Sequence, residues 1–201
     1  MPRWRLAFAT RLVHLTAMTD DELLDAVLGH IAAVGWRRWS YPALATATGA
    51  SLSDLRRVFP TPGAVLCRLM ARADQVVLAG TDLADPSSPR DRLFDVLMRR
   101  FDALASAKAA LQAWAKDYGG DPLTVVTAAS ALPLSQAWML DAARIERYGA
   151  RGAVRVAALS LLYARVFRVW LDDDAADLPK TMAALDQALK RAGSLLIPTT
   201  P

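Results

Sequence analysis

The stretch ELLDAVLGHIAAVGWRRWSYPALATATGASLSDLRRVFPTPGAVLCRLM, which covers residues 22–70, decides the fold. Around its start, from Asp20 to Val34, apolar residues recur at intervals of three and four, and acidic residues stand where a helix N-terminus favours them. This spacing predicts an amphipathic helix that ends at Gly35. Ser40 then precedes a short apolar segment and is a candidate N-cap for a second helix.

The second half of the same stretch predicts two further helices. The second helix ends at Gly49, and after the Gly-Ala-Ser turn a new apolar run over residues 52–59 predicts a third. Thr61 is a candidate N-cap for a fourth helix, with Pro62 in its first turn, where the missing N–H costs nothing. We therefore expect three short helices and a linking helix that ends at about Ala79.

Beyond this unit the chain carries helical spacing throughout. A segment rich in Asp, Ser and Pro over residues 80–90 breaks the pattern and predicts a domain boundary. Further helices are predicted over residues 93–104, 123–131, 134–148, 150–171 and 178–191. The helix from Ala150 is apolar around most of its circumference, so we expect neighbours to enclose it on several sides. There is no alternating strand pattern, and the predicted fold class is all-α.

Composition and charge limit the class of protein. The 201 residues are 54% hydrophobic, which suffices for one substantial core, and no low-complexity tract is present. The net charge of +4 is mild and does not by itself indicate nucleic-acid binding. The single cysteine, Cys67, cannot form an internal disulfide, so we expect a reducing compartment, the cytoplasm. The longest strongly apolar stretch, residues 156–164, is far shorter than the ~20 residues of a membrane span, and none is expected.

Residues 1–18 leave two interpretations open. They contain Arg3, Arg5 and Arg11 and no acid, and arginine interrupts their apolar stretches, which disfavours a secretory signal. They form either a basic arm in front of the first helix or a mis-assigned leader, since Met18 also precedes a well-formed helix start.

The order of elements over residues 22–70 also carries a resemblance. A first helix ends in glycine, a second is rich in alanine, a Gly-x-Ser turn follows, and a Phe closes the third helix before the linking fourth. This order resembles the DNA-binding unit of TetR-family transcriptional regulators. It implies a TetR-like helix-turn-helix domain over residues 19–80 and a C-terminal ligand-binding and dimerisation domain over residues 90–197.

In that family the third helix enters the major groove of DNA. The resemblance therefore implies DNA contacts by Tyr41, Ser51, Ser53, Arg56 and Arg57. The chain departs from the family pattern, because the aromatic residue usual where Arg56 stands and the lysine usual near Pro62 are both missing. Asp54 also places a negative charge where phosphate repels it. Two arginines on a short helix are equally typical of a solvated surface, and that interpretation stays open.

The second half of the chain carries a different resemblance. Its segments are RDRLFDVLMRRFDAL over residues 90–104, LSQAWMLDAARI over residues 134–145, and LLYARVFRVWLDDDAADLPKTMAALDQAL over residues 161–189. These segments resemble the ubiquinone-biosynthesis accessory proteins, a family that shares the TetR fold and binds isoprenoid lipid. The resemblance implies an isoprenoid lipid or ubiquinone precursor as the ligand and a hydroxylase of the pathway as a partner.

Large apolar side chains in this half form a candidate lipid pocket. Adaptable apolar surface between packed helices is typical of ligand cavities. The same spacing is typical of an ordinary core, so the residues alone leave both interpretations open and the resemblance favours a cavity. The candidate lining residues are Trp138, Met139, Leu159, Leu162, Tyr163, Val166, Phe167 and Trp170.

The chain offers no recognisable catalytic or metal site. His14 and His30 stand in no metal-ligand spacing with Cys67, and there is no nucleophile elbow, phosphate loop or dinucleotide fingerprint. The acidic run over residues 172–174 is interpreted as a charged turn rather than a cation site. We therefore expect a protein that is not an enzyme and needs no cofactor or metal.

Two functions follow from these observations. The leading hypothesis is a non-catalytic, lipid-binding accessory protein of ubiquinone biosynthesis, located in the cytoplasm or at the surface of the inner membrane, with a relic helix-turn-helix. The alternative is a TetR-family repressor that binds duplex DNA and responds to an apolar small molecule. Both hypotheses include an apolar ligand and a homodimer.

Overall fold

The computed structural model describes residues 18–117 and 122–197, and the predicted N-terminal arm or leader lies outside them apart from Met18. Within these residues the chain is helical without strands, which confirms the all-α prediction. The helices are α1 (Asp20–Val34), α2 (Tyr41–Thr48), α3 (Leu52–Val58), α4 (Pro62–Ala79), α5 (Pro89–Leu104), α6 (Lys108–Asp117), α7 (Pro122–Ala142), α8 (Gly149–Leu171) and α9 (Pro179–Ala192).

The N-terminal helices begin close to the predicted positions. Thr19 and Glu22 form a capping box at α1, in which the Thr19 hydroxyl accepts from the Glu22 N–H at 3.2 Å and the Glu22 carboxylate accepts from the Thr19 N–H at 2.8 Å. The Ser40 hydroxyl accepts from the Ala43 N–H at 3.3 Å, as predicted for the cap of α2. Thr61 occupies the predicted N-cap position of α4, with Pro62 in the first turn, although its side chain makes no capping bond.

The helices α1, α2 and α3 pack together into the predicted helix-turn-helix arrangement. Leu24 of α1, Leu44 of α2 and Leu55 of α3 are all fully buried. Gly49 ends α2 with a φ of 74°, in the left-handed region that favours glycine, and the chain turns there toward α3.

The helices α4 and α6 both join this unit to the remaining helices, since α1 packs against each of them. The helix α4 packs mainly against α7, and also against α5 and α1. Gly63 allows α4 and α7 to approach closely, because a Cβ atom added at Gly63 would lie 2.8 Å from the Cβ of Thr127. The helix α4 therefore contacts both the N-terminal unit and the C-terminal bundle.

The structure joins two predicted helices into one. The sequence predicts a break around Pro133, whereas α7 continues through this residue to Ala142. Proline removes one backbone hydrogen bond, but its ring is exposed here, and the following Ser135 and Gln136 are buried against neighbouring helices. Packing of this later part holds α7 in one piece, so the predicted break is wrong.

The helix α7 also ends earlier than the predicted Tyr148. Arg144 adopts a left-handed φ of 55°. The Ile145 N–H donates to the Leu140 carbonyl at 2.8 Å and the Arg144 N–H donates to the Asp141 carbonyl at 2.9 Å, which is the Schellman pattern. Glycine usually occupies this left-handed position at the end of a helix. Because arginine stands there instead, the sequence gives no sign that α7 ends.

One side of α8 is open to solvent. Val154 is 49% exposed and Leu161 is 76% exposed, and Ala153 and Ala157 are also exposed. The helices α6, α7 and α9 pack against its other sides, so α8 is enclosed on several sides, as predicted, but not all around.

By length and composition α7 is able to cross a membrane, and it is the one such helix among the described residues. Core helices of soluble proteins meet the same criterion, and α7 packs against α4 with Ser135 and Gln136 buried at its centre.

Candidate functional site

The first candidate site is the exposed surface of α3. Leu55, Val58 and Phe59 are buried and fix this helix on the N-terminal unit. Ser53 and Arg56 are exposed. An exposed short helix that carries a cation is suited to contact phosphates and base edges in the major groove.

Two other predicted DNA contacts on α3 already have partners within the chain. The Ser51 hydroxyl accepts from the Asp54 N–H at 3.0 Å and donates to the Asp54 carboxylate at 2.6 Å, which caps the helix. Arg57 donates to the Asp20 carboxylate at 2.9 Å, and this hydrogen bond is the largest contribution that lowers the pKa of Asp20. DNA therefore competes with internal contacts for both side chains.

The turn before α2 contributes two exposed arginines, at residues 37–38, that the sequence analysis did not include. The ring of Trp39 packs edge to face against Trp36, with centroids 5.9 Å apart, and against Tyr41 at 5.2 Å. The Tyr41 hydroxyl donates to the Phe59 carbonyl at 2.7 Å, so this predicted DNA contact ties the turn to the end of α3. The two arginines consequently lie on a turn that these contacts hold beside α2 and α3.

The second candidate site is an apolar cavity of about 380 Å³ between α4, α5, α6, α7 and α8. Its volume lies within the ~300–1,000 Å³ of small-molecule sites. Five helices supply the lining, which consists of Leu66, Leu69, Met70, Arg100, Leu104, Leu111, Trp114, Ala115, Val125, Ala128, Ala129, Leu132, Tyr163, Ala164, Phe167, Arg168 and Leu171.

A buried ion pair stands beside this cavity. Arg100 of α5 is 1% exposed, its Nε donates to the Asp74 carboxylate of α4 at 2.9 Å, and its Nη2 donates to the Ser135 hydroxyl of α7 at 2.7 Å. The Ser135 hydroxyl donates in turn to Asp74 at 2.8 Å. The guanidinium carbon lies 4.6 Å from the ring centroid of Tyr163 on α8, over the face of the ring. Four helices therefore meet at one polar cluster.

Burial and charge act in opposite directions on this cluster. Burial raises the pKa of Tyr163, and the neighbouring Arg100 only partly opposes this. Burial alone would lower the pKa of Arg100, but the neighbouring Asp74 carboxylate opposes this and the pKa is raised. The guanidinium therefore stays charged and the phenol stays neutral at physiological pH. Among the described residues the Tyr163 hydroxyl has no hydrogen-bond partner.

Of the eight predicted lipid-pocket residues, Tyr163 and Phe167 line the cavity. Leu162 is half-buried outside its lining, and Trp138 is 44% exposed, with the Arg147 guanidinium 5.7 Å from its ring centroid. The other four are buried in the core beside it: Met139, Leu159, Val166 and Trp170. The lining supplied by α4, α6 and the first half of α7 was missed, because its helical apolar spacing is the same as that of an ordinary core.

The acidic run after α8 has a structural role. The Asp173 carboxylate accepts from the N–H and from the hydroxyl of Thr181, both at 2.8 Å, which fastens the start of α9. The Lys108 ammonium donates to the Asp173 carbonyl at 2.6 Å and to the Asp174 carboxylate at 3.3 Å. These contacts agree with the interpretation of a charged turn.

Three solved structures superpose on most of the chain. A TetR transcriptional regulator from Nitrosomonas europaea ATCC 19718 matches with a TM-score of 0.69 and 19% identity, over 86% of this chain and 96% of that one. A TetR transcriptional regulator from Rhodococcus sp. RHA1 matches with a TM-score of 0.58 and 21% identity, over 88% and 93%. A TetR-family regulator from Streptomyces coelicolor matches with a TM-score of 0.56 and 18% identity, over 88% and 82%. The chain has the TetR fold.

At identities of 18 to 21%, the likeness establishes the TetR fold and not the activity. No protein-family model and no curated protein sequence matches the chain. The resemblance of the C-terminal half to ubiquinone-biosynthesis accessory proteins is therefore without support from sequence comparison and stays a prediction. The expectation that this chain is not an enzyme likewise stays a prediction.

Proposed function

We propose that this protein is a dimeric, DNA-binding transcriptional regulator, acting in the cytoplasm, whose DNA affinity is controlled by an apolar small molecule. The position of α4 carries this proposal, because one helix serves both candidate sites. On one side Arg68 pairs with Asp20 at 2.7 Å and Arg72 pairs with Asp25 at 2.7 Å, both on α1. On the other side α4 supplies cavity residues Leu66, Leu69 and Met70.

Movement of α4 is the means by which a ligand acts. Because α4 and α7 already touch at Gly63 and Thr127, a ligand larger than the existing cavity displaces α4. The ion pairs with α1 carry that displacement to the helix-turn-helix. Ligand binding then shifts the population between conformations that bind DNA well and poorly.

A second copy of the chain covers α8 in this proposal. The exposed Val154 and Leu161 stand on one face with Ala153 and Ala157, at helical spacing. A contiguous exposed apolar stripe favours contact with a partner. Pairing along it brings two α3 helices to one duplex, where half-sites lie about one helical turn, ~34 Å, apart.

The DNA contacts come from Ser53 and Arg56 on α3 and from the arginines at residues 37–38. In this arrangement Ser51, Arg57 and Tyr41 hold α3 in place through their internal contacts.

The proposal is tested by selecting duplexes from a random library with the purified full chain and measuring affinity by fluorescence anisotropy over a range of salt. We expect a selected sequence bound far more tightly than the ~10⁻⁴–10⁻⁶ M of non-specific binding, with affinity falling as salt rises. Affinity that never exceeds the non-specific range contradicts the proposal.

A lipid-binding accessory role in ubiquinone biosynthesis is the second candidate function. It is favoured by the acidic Asp54 on α3 and by the internal contacts of Ser51 and Arg57, which reduce the groups available to DNA. In that role the cavity holds an isoprenoid lipid, and a hydroxylase and the membrane surface are the partners. Mass spectrometry of lipids extracted from the purified protein separates the two functions. Recovery of ubiquinone or a precursor favours the accessory role, whereas specific DNA binding without such a lipid favours the regulator.

A further inference from the structure

The wall of the cavity that α4, α5, α6, α7 and α8 line is almost entirely hydrocarbon, and four of its side chains carry polar atoms: Arg100, Trp114, Tyr163 and Arg168. Arg100 and Tyr163 are 1% and 4% exposed, so they belong to the interior. Arg168 is exposed to solvent and marks where the wall meets the surface. Both interior side chains are therefore buried in the wall of an apolar space.

Both interior groups retain hydrogen-bonding capacity. A guanidinium carries five N–H groups, and the bonds to Asp74 and Ser135 use two of those of Arg100. The Tyr163 hydroxyl has no partner among the described residues. Because a buried polar group without a partner is unfavourable, an acceptor placed between these two donors stabilises the site.

We propose that the cavity takes an uncharged apolar molecule with one oxygen acceptor, such as a carbonyl group, and that Arg100 and Tyr163 donate hydrogen bonds to this oxygen. This inference rests on the proposed function and deepens it, since it gives the chemical class of the molecule that controls the regulator.

The charge balance of the cluster selects a neutral oxygen over a carboxylate. Asp74 already neutralises Arg100, and both side chains are buried. A carboxylate beside them adds a negative charge to the interior without a counter-charge, which is strongly unfavourable. Arg168 offers a counter-charge only at the exposed edge of the cavity, where an acid would leave the interior donors unused.

The test compares three ligands of matched shape on the purified full chain without DNA. They are methyl hexyl ketone, the alkene in which a methylene group replaces the carbonyl oxygen, and octanoic acid. Dissociation constants come from the rise of the unfolding midpoint with ligand concentration. We expect the ketone to bind more tightly than the alkene and the acid.

Tyr163→Phe is the decisive variant, because it removes an unpaired hydroxyl and keeps the ring that packs in the core. We expect it to weaken ketone binding roughly three- to tenfold, the effect of one hydrogen bond, and to leave alkene binding unchanged. Tyr148→Phe, at an exposed position outside the cavity lining, is the matched control and should change neither.

Three results overturn the proposal: equal affinity for ketone and alkene, an unchanged ketone affinity in Tyr163→Phe, or tighter binding of octanoic acid that Arg168→Ala abolishes. Since no DNA is present, the outcome is separate from that of the proposed function. A chain that prefers the ketone but never binds DNA specifically overturns the regulator and keeps this inference. A chain that binds DNA specifically but shows no preference for the ketone keeps the regulator and overturns this inference.

Discussion

The guanidinium of Arg100 is held by side chains from two other helices, Asp74 of α4 and Ser135 of α7. Arg100→Ala leaves the Asp74 carboxylate buried without its counter-charge. We expect a loss of about 3–5 kcal/mol in the free energy of unfolding, measured by urea denaturation.

The control for this change removes both charges at once. In the double variant Asp74→Leu, Arg100→Met, apolar side chains of similar size fill the same space, and the stability should return to near that of the original chain or exceed it. If Arg100→Ala alone changes stability by less than about 1 kcal/mol, the ion pair is not as buried as the structure places it.

Arg56 and Arg57 are adjacent in sequence but differ in what they offer DNA. Arg56 is exposed, whereas Arg57 is bound to Asp20. We expect Arg56→Ala to weaken binding to the selected duplex and to reduce the slope of affinity against salt by about one phosphate contact. Arg57→Ala should reduce that slope less. Anisotropy titrations at several salt concentrations measure both, with Arg191→Ala on α9 as an exposed arginine outside the N-terminal unit and away from the α8 stripe. Equal slopes for all three variants count against a DNA contact by Arg56.

The contact between α4 and α7 depends on the absence of a side chain at Gly63. In Gly63→Ala the new Cβ meets Thr127, whose Cβ and Cγ2 are 2.8 Å and 2.9 Å away, so the helices must move apart. We expect a loss of about 1–3 kcal/mol in unfolding free energy, typical of overpacking. Gly29→Ala is the matched control, because nothing lies within 4 Å of that position in α1 and the substitution should stabilise by about 0.5–1 kcal/mol. Thermal denaturation measures the stability of both variants. A Gly63→Ala variant that is more stable than the original chain contradicts the close contact between α4 and α7.

Helix positions in this chain were largely predictable, because apolar spacing and capping residues act locally. Ser40 and Gly49 bound α2 as predicted, since each acts on residues within one turn. The errors fall where distant contacts override local preference. Packing of the residues after Pro133 keeps α7 continuous, and Arg144 takes a backbone conformation usually left to glycine.

The candidate sites were less predictable than the helices, because they form from residues far apart in the chain. Arg100 lies 26 residues from Asp74 and 35 residues from Ser135, and no periodicity connects them. The apolar lining from α4 and α7 has the same spacing as core residues, and only the packing of the helices leaves a cavity between them. The exposed residues of α3 were easier to predict, because they lie within one short segment.

We expect the exposed stripe on α8 to pair two chains, and this pairing to place two α3 surfaces on one duplex. A repressor needs two α3 helices at a fixed spacing, so loss of the dimer should remove specific DNA binding even though the helix-turn-helix stays folded.

Leu161→Glu places a charge at the 76% exposed position on the stripe, where burial against a second copy is strongly unfavourable. We expect the variant to elute as a monomer in size-exclusion chromatography with light scattering, with unchanged helicity and at least tenfold weaker binding to the selected duplex. Leu83→Glu, at a 69% exposed position between α4 and α5, is the matched control and should remain dimeric. If the Leu161→Glu variant stays dimeric, the two copies contact each other through another face of the molecule. If the original chain is already a monomer, two α3 helices are not paired and the dimeric arrangement is wrong.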